Sequence, residues 1–183
     1  MAQHDKYGRL GVMSDTHGSL QAWRQALAVF GRVDAVLHAG DVLGCGYRSR
    51  EGGRPLDLAD EINSFELPVY IARGNCDTDY TVTQLHPALS PCVSLLWHGK
   101  KILMMHGDYF SLLRRRALEG GADLAITGHT HVASCVREEG TIFLNPGSTT
   151  FPQGRDPESA AVVDTEGVSI LTLSGKLLHR EPW

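Results

Sequence analysis

Residues 8–18 read GRLGVMSDTHG, a short apolar run that ends abruptly in Asp15 and His17. The length and composition of Gly8 to Met13 are typical of a buried β-strand. A helix is predicted directly after this stretch, because a capping residue precedes apolar side chains at helical spacing. These residues are Ser19, Leu20, Trp23, Leu27 and Phe30. The stretch therefore predicts a strand, a polar loop and a helix in succession.

The same arrangement, an apolar run that ends in a polar residue beside glycine, occurs four more times along the chain. The residues at these ends are Asp41, Asn75, His106 and the pair His129 and His131. Sites in open α/β sheets form at the carboxyl ends of strands, so these side chains can converge on one edge. Helical patterns alternate with the early strands and hairpins fill the last third, which predicts a layered α/β domain with mixed sheets.

Length and composition restrict the class of protein. The chain has 183 residues and a net charge of -4, with 42% hydrophobic and 21% charged residues. A single domain over residues 1–183 is expected at this length. The acidic balance disfavours nucleic acid or an anionic membrane surface as the partner. We expect no secretory signal, no membrane span and reduced cysteines, because no long apolar segment and no paired CxxC spacing occur. A cytoplasmic protein is the resulting expectation.

The seven polar side chains at the strand ends are the candidate metal ligands. They offer carboxylate and amide oxygens and imidazole nitrogens, a set that suits hard-to-borderline divalent ions. Seven ligands are too many for one tetrahedral zinc ion, which takes four. The seven ligands are explained if two ions lie about 3.5–4 Å apart and share the carboxylate of Asp41. We expect two Mn²⁺ ions, with Fe²⁺, Zn²⁺ or Ni²⁺ as alternatives. The candidate ligands are Asp15, His17, Asp41, Asn75, His106, His129 and His131.

Five short sequence motifs, taken in their order along the chain, resemble those of the calcineurin-like metallophosphoesterase superfamily. Their residues are still more similar to those of its small bacterial YfcE-type phosphodiesterases. The blocks are DTHG at 15–18, GD at 40–41, GNCD at 74–77, HG at 106–107 and GHTH at 128–131. The resemblance extends through NPGS at 145–148 and covers nearly the whole chain. It implies an α/β fold built as a four-layer α/β/β/α sandwich of two mixed β-sheets, with the metals at the edge of the stacked sheets.

The resemblance also implies how the ligands divide between the two ions. Asp15, His17, Asp41 and His131 would surround one metal. Asp41, Asn75, His106 and His129 would surround the other. His38, on the strand before Asp41, is expected to pack or to support these ligands rather than to join them.

The block at 74–77 departs from the family pattern, which has a histidine where this chain has Cys76. A thiol with a pKa of about 8.5 can donate a proton, but it cannot supply the positive charge of an imidazolium. We therefore expect weak protonation of the leaving group, and a preference for substrates whose leaving group is already good. Asp77 is expected to orient its neighbours by hydrogen bonds. The residues predicted to be catalytic are Asp41, Asn75, Cys76 and Asp77.

These interpretations predict a metal-dependent phosphoric ester hydrolase, specifically a phosphodiesterase that uses a metal-bridging hydroxide as the nucleophile. One alternative is a non-catalytic scaffold of the same fold, as in the retromer subunit that resembles this family. Another is a phosphomonoesterase or nucleotide pyrophosphohydrolase with the same metals. The complete ligand set favours catalysis on a small phosphoester.

The sequence also suggests which residues contact the substrate and whether the chain forms oligomers. The candidate substrate contacts are Arg73, Arg48, Arg50 and Arg54. An ordinary strand-end salt bridge is an equal alternative for Arg73. The resemblance further suggests a homo-oligomer.

Overall fold

The larger of two β-sheets carries the first strand and has seven strands. The computed structural model describes residues 7–44 and 54–183. In chain order, the strands of this sheet are β1 (Arg9–Met13), β2 (Ala35–His38), β3 (Val69–Ala72), β4 (Leu89–Ser90), β10 (Ser159–Asp164), β11 (Gly167–Thr172) and β12 (Leu177–Pro182). Their spatial order is β12-β11-β10-β1-β2-β3-β4. Strands β1 to β4 run parallel, and β10 to β12 are antiparallel neighbours, so the sheet is mixed.

The smaller sheet has five strands and is also mixed. Its strands are β5 (Val93–Trp97), β6 (Lys100–Met104), β7 (Leu124–Ile126), β8 (Ser134–Glu138) and β9 (Thr141–Asn145). They lie in the order β5-β6-β7-β9-β8. The three central strands are parallel, while β5 and β8 pair antiparallel at the two edges.

Helices cover the outer faces of both sheets. They are α1 (Leu20–Phe30), α2 (Pro55–Ser64), α3 (Asp79–Gln84) and α4 (Phe110–Glu119). Helix α1 begins directly after Ser19. The hydroxyl oxygen of Ser19 accepts a hydrogen bond from the N–H of Ala22, which confirms the predicted cap. Of the described helices, none combines the length and the apolar character that a membrane span requires.

Three apolar clusters separate four layers. Val12 and Leu37 of the larger sheet face Ile102 and Leu124 of the smaller sheet in the central core. Alternate residues point the other way, because successive side chains of a strand face opposite sides. A second core is therefore formed where Trp23 and other α1 and α2 residues pack on the outer face of the larger sheet. The third lies between α4 and the smaller sheet. This arrangement confirms the predicted four-layer α/β/β/α sandwich.

The two stacked sheets place the ends of five parallel strands at a common edge. Strands β1, β2 and β3 of the larger sheet end there, and so do β6 and β7 of the smaller sheet. The polar blocks singled out in the sequence follow these five strands directly. The fold therefore delivers residues that are far apart in the chain to one place.

Candidate metal centre

The loop that follows β1 supplies the deeper part of the centre. Asp15 Oδ1 lies 3.2 Å from His131 Nε2, and His131 Nε2 lies 3.4 Å from His17 Nε2. Oxygen and nitrogen atoms of these three residues all lie within 4.8 Å of one another. Asp15 is fully buried, yet its Oδ1 atom accepts no hydrogen bond. A buried carboxylate oxygen without a donor, facing two imidazole nitrogens, fits a divalent cation.

The second group of side chains is more open to solvent. His106 Nε2 lies 3.0 Å from Asn75 Oδ1 and 3.4 Å from Asp41 Oδ2. On the other side, His129 Nδ1 lies 2.9 Å from the same Asn75 oxygen. His106 is buried, whereas Asn75 and His129 are exposed. The chemistry of these donors also suits a divalent cation, and the exposed pair leaves a side on which a substrate can approach.

Asp41 lies between the two groups. One of its oxygens is within 4.8 Å of ligand atoms of Asp15 and His106, and one is within 4.8 Å of a nitrogen of His17. Asp41 Oδ1 also accepts the N–H of Cys76 at 2.8 Å, which fixes the orientation of the carboxylate. This position suits the predicted role of Asp41 as a ligand shared by two cations.

Backbone carbonyls set the tautomers of two histidines. His106 Nδ1 lies 2.7 Å from the oxygen of Ala39, and His131 Nδ1 lies 2.7 Å from the oxygen of Phe151. A carbonyl oxygen can only accept, so both Nδ1 atoms carry the proton. In the neutral form of each ring, the lone pair is then on Nε2, which faces the centre, as metal ligation requires.

The electrostatics of the centre show where positive charge is needed. Burial lowers the pKa of His106, but the hydrogen bond and charge of Asp41 outweigh burial and raise it to about 9. The adjacent carboxylate of Asp15 likewise raises the pKa of His131. Burial lowers the pKa of His17. A proton on His106 thus compensates the carboxylate of Asp41 in the absence of cations, and a cation that binds to this nitrogen must displace it.

Five of the seven candidate ligands have a left-handed backbone. The φ values are 56° for Asp15, 45° for His17, 56° for Asp41, 66° for His129 and 57° for His131. Residues other than glycine rarely adopt this backbone conformation, which costs on the order of 1–3 kcal/mol per residue. Such strain persists only where surrounding contacts over-determine it, and it is typical of functional sites.

Contacts between the loops hold this strained backbone in place. The N–H of Asp15 donates to the oxygen of Gly40, and the N–H of His17 donates to the oxygen of Asp41, each at 3.0 Å. Close approach also requires glycine at two positions. A Cβ atom at Gly74 would lie 2.1 Å from Asp41 Oδ1, and one at Gly128 would lie 1.8 Å from Ser14 Oγ.

Asp77 accepts backbone hydrogen bonds and belongs to none of the possible ligand clusters among the described residues. Its two oxygens accept the N–H groups of Asp41, Val42 and Gly74, each at 2.9 Å. Burial raises the pKa of Asp77. The side chain therefore joins the loop after β2, which carries Asp41, to the loop after β3, which carries Asn75.

His38 supports the same loops from beneath. Its Nδ1 atom accepts the N–H of Gly40 at 3.1 Å, so its Nε2 atom donates to Thr16 Oγ1 at 3.0 Å. The hydroxyl of Thr16 in turn donates to the oxygen of Val42 at 2.8 Å. Complete burial lowers the pKa of His38 to about 4, although the charges of Asp15 and Asp41 act in the opposite direction. This network requires a neutral imidazole.

Cys76 differs from the expectation of a reduced thiol. It is buried and disulfide-bonded, whereas Cys92 and Cys135 are free. A disulfide sulfur carries no proton and is not a thiolate ligand, so Cys76 can donate a proton only after reduction. Its backbone N–H still contributes to the centre by holding Asp41.

Two of the candidate substrate arginines are engaged elsewhere. Arg73 pairs with Asp79 at 2.8 Å, at the start of α3, and also donates to the oxygen of Asp77. Arg54 pairs with Asp57 at 3.0 Å in the first turn of α2. The strand-end salt bridge, the alternative for Arg73, is thus the arrangement observed. Arg48 and Arg50 lie outside the described residues.

The segment after β9 contributes residues that sequence reasoning missed. The backbone oxygen of Phe151 accepts a hydrogen bond from His131 Nδ1, and the ring of Phe151 lies 5.5 Å from that of His17. The hydroxyls of Ser148 and Thr150 donate to the oxygen of Asp15 at 3.1 and 2.8 Å. The only sequence signal is the NPGS block, which contains Ser148 and precedes Thr150 and Phe151, and this block is also explained by an ordinary turn that ends a strand.

The comparisons with known proteins agree with this fold and centre. Residues 9–167 match the calcineurin-like phosphoesterase superfamily domain. The chain is 33% identical over 172 residues to phosphodiesterase YfcE of Escherichia coli K12, covering 91% of this chain and 92% of that one. It is 31% identical to a probable metallophosphoesterase of Methanothermobacter thermautotrophicus, covering 94% and 90%.

Solved structures give the same result. The structure of Yfce, a phosphoesterase from E. coli, has a TM-score of 0.80 at 26% identity and covers 95% of this chain and 98% of that one. A Vps29 variant from Entamoeba histolytica has a TM-score of 0.69 at 22% identity, with 96% and 99% covered, which shows likeness of fold alone. The fold and centre define a metal-dependent hydrolase of phosphoesters. The chain belongs to the calcineurin-like phosphoesterase superfamily.

Replacing Asp77 by asparagine tests its role as the link between the loops. Asparagine has one acceptor oxygen, so at least one of the three backbone N–H groups loses its partner. We expect Asp77→Asn to weaken Mn²⁺ binding by about 10–100-fold, the usual effect of removing a group that orients ligands. Isothermal titration of the chelated protein measures this affinity. Asp60→Asn, an exposed change on α2, is the control, and equal affinities for both variants would contradict the assignment.

The buried neutral His38 predicts a specific dependence of stability on pH. Its folded pKa of about 4 lies below the unfolded value of 6.5, so its contribution is complete above pH 6.5 and is lost as the pH falls towards 4. About 2 kcal/mol should be lost by about pH 5. In urea unfolding with a chelator present, the stability gap between wild type and His38→Gln should narrow by that amount from about pH 7.5 to about pH 5.

The exposed histidine variant His86→Gln is the control for this measurement, and its gap from wild type should stay constant with pH. A constant gap for His38→Gln as well would contradict the assignment of a neutral buried imidazole.

Proposed function

We propose that this chain hydrolyses small phosphodiesters with the help of two divalent cations, Mn²⁺ by preference. The observation that carries the proposal is the position of Asp41, which lies within ligand distance of both groups of side chains. Two cations that share a carboxylate stabilise both the attacking and the leaving oxygen of an in-line displacement. The name of the E. coli relative, a phosphodiesterase, supports the same reaction.

The roles of the protein residues follow from the contacts of the centre. When bound, the cations would supply an activated water and neutralise charge on the phosphoryl oxygens. Asp41 would hold both cations at a fixed separation. The Nε2 atoms of His106 and His131 would complete the two groups, since their protons sit on the opposite ring nitrogens. Because Asn75 and His129 are exposed, they would border the approach of the substrate.

The charge of the cavity favours a diester over a monoester. A cavity of about 370 Å³ lies over the centre. Its described lining has no lysine or arginine and consists of His17, Asp41, Asn75, Cys76, His129, His131, Phe151 and Gln153. A phosphodiester carries one negative charge, whereas a phosphate monoester or a pyrophosphate carries about two or more at neutral pH. With no lysine or arginine among the described lining residues, the singly charged ester is easier to accommodate.

The choice between catalysis and a scaffold rests on the same side chains. A scaffold needs the fold, which the Vps29 structures share, but it does not require the complete set of seven candidate ligands. The strain at five ligands is explained if they hold cations for a reaction. We propose, in addition, that the protein is a single cytoplasmic domain spanning residues 1–183. A homo-oligomer remains part of this proposal by analogy with the family.

Removal and return of the metals tests the proposed function. Chelation should abolish hydrolysis of bis(p-nitrophenyl) phosphate, and Mn²⁺ should restore it better than Fe²⁺, Zn²⁺ or Ni²⁺. Asp41→Asn should lower kcat by about 10³-fold or more, because a shared ligand supports several kcal/mol of charge stabilisation. The rates are followed by release of p-nitrophenolate, and p-nitrophenyl phosphate should be the poorer substrate.

His86→Gln removes an exposed histidine that contacts no ligand, and it should leave the rates unchanged. Full activity of the chelated protein, or of Asp41→Asn, would show that the centre is not a catalytic pair of cations.

The replacement of the usual histidine by Cys76 predicts a strong dependence on the leaving group. General acid catalysis contributes about 10²–10⁴-fold, and a disulfide-bonded Cys76 contributes no proton. With methyl p-nitrophenyl phosphate and methyl phenyl phosphate, the first should react about 10²-fold faster. Cys76→His should narrow this ratio, whereas Cys92→Ser should not change it. Equal rates for the two esters, with chemistry limiting, would refute the idea.

A further inference from the structure

A second cavity adjoins the metal centre on the far side of His17 and Phe151. It has a volume of about 540 Å³ and lies among the start of α1, the segment after β9 and the turn after β11. We call it the side cavity, and its lining is His17, Ser19, Gln21, Ala22, Gln25, Thr149, Thr150, Phe151, Glu158, Leu173 and Ser174. His17 and Phe151 also line the cavity over the metal centre, so the two spaces are neighbours. A volume of this size is typical of small-molecule sites.

The lining of the side cavity is polar but has only one residue with a formal charge at neutral pH. Its polar groups are side-chain amides and hydroxyls together with the carboxylate of Glu158, and its described lining includes no lysine or arginine. This chemistry is unsuited to a second phosphate, which the carboxylate would repel. It suits an uncharged group with several hydroxyls.

Two side chains of the side cavity have hydrogen-bonding capacity to spare. The hydroxyls of Thr149 and Thr150 donate to backbone oxygens of Ser14 and Asp15 and are therefore occupied. Within the part of the chain that the structure describes, the half-buried carboxylate of Glu158 makes no hydrogen bond or ion pair. The exposed amide of Gln25 is also uncommitted among the described residues. A carboxylate with both oxygens available can accept two adjacent hydroxyl protons at once.

We infer that the side cavity binds the non-leaving ester group of the substrate, and that this group carries a vicinal diol, as a ribose or similar sugar does. The inference rests on the proposed phosphodiesterase function. The carboxylate of Glu158 would accept hydrogen bonds from the two hydroxyl groups, and the amide of Gln25 would supply a further donor and acceptor. Phe151 would pack its ring against the carbon skeleton, between the phosphate and the diol. Glu158 and Gln25 are thus specificity-determining residues.

An alkylammonium group is the other ligand that a carboxylate attracts. Sites for such cations use several aromatic rings or more than one acidic group. The described lining of the side cavity has one phenyl ring, one carboxylate and several amides and hydroxyls. The observations therefore favour the diol.

Matched diesters with one leaving group test the inference on the Mn²⁺-loaded full chain. The first is methyl riboside 5′-(p-nitrophenyl phosphate) and the second is its 2′,3′-dideoxy analogue, which has the same ring without the diol. Wild type should prefer the diol ester by about tenfold in kcat/KM, the factor expected for hydrogen bonds to a charged group. Glu158→Ala should remove this preference while the dideoxy ester keeps its rate. Glu119→Ala, on α4, should leave both rates unchanged.

A binding measurement separates this inference from the proposed function. Titration of the ¹⁵N-labelled metal-free protein with methyl riboside should shift the side-chain amide signals of Gln25, and Glu158→Ala should abolish the shift. If neither diester is hydrolysed but the shifts occur, the proposed function fails and the side cavity stands. Hydrolysis of both esters at equal rates, without shifts, would overturn the inference. A preference for 2-aminoethyl over ethyl p-nitrophenyl phosphate that depends on Glu158, in place of the diol preference, would overturn it as well.

Discussion

The structure depends on compensation of negative charge at one buried sheet edge. Asp15 is 0% exposed and Asp41 is 3% exposed, and oxygens of both lie within 4.8 Å of a nitrogen of the equally buried His106. Two ionised carboxylates that are this close together and buried from water are strongly unfavourable in free energy unless positive charge lies between them. A proton on His106 meets part of this need in the absence of cations, and divalent ions meet it more completely.

The rest of the fold follows from the need to hold those groups together. Two sheets stacked by a central apolar core bring the ends of five strands to one edge, and the loops between them are cross-linked by backbone hydrogen bonds and by Asp77. This support maintains left-handed backbone at five ligand positions. The backbone strain of the ligand loops is offset by the stability of the packed sheets. The side chains are therefore held in place before any ion binds.

Much of the fold and of the candidate centre could be predicted from local sequence. Each strand end carries its own signal, an apolar run followed by a ligand residue and glycine, and the five signals in order identify the architecture. Long-range contacts carry no such signal. A strand-end salt bridge is one of the two alternatives for Arg73, but helix α3 is short, so its Asp79 is not predicted as the partner. The carbonyl of Phe151 on His131 and the disulfide state of Cys76 likewise depend on tertiary proximity, which spacing along the chain does not encode.

The separation of the two bound cations is the most direct measure of the shared role of Asp41. Titration of the chelated protein with Mn²⁺, followed by electron paramagnetic resonance, reports both the number of ions and their coupling. If Asp41 is shared, two ions per chain lie about 3.5–4 Å apart and give an exchange-coupled spectrum, which Asp41→Asn converts to that of isolated ions. A single bound Mn²⁺, or two uncoupled ions in the wild type, would contradict it.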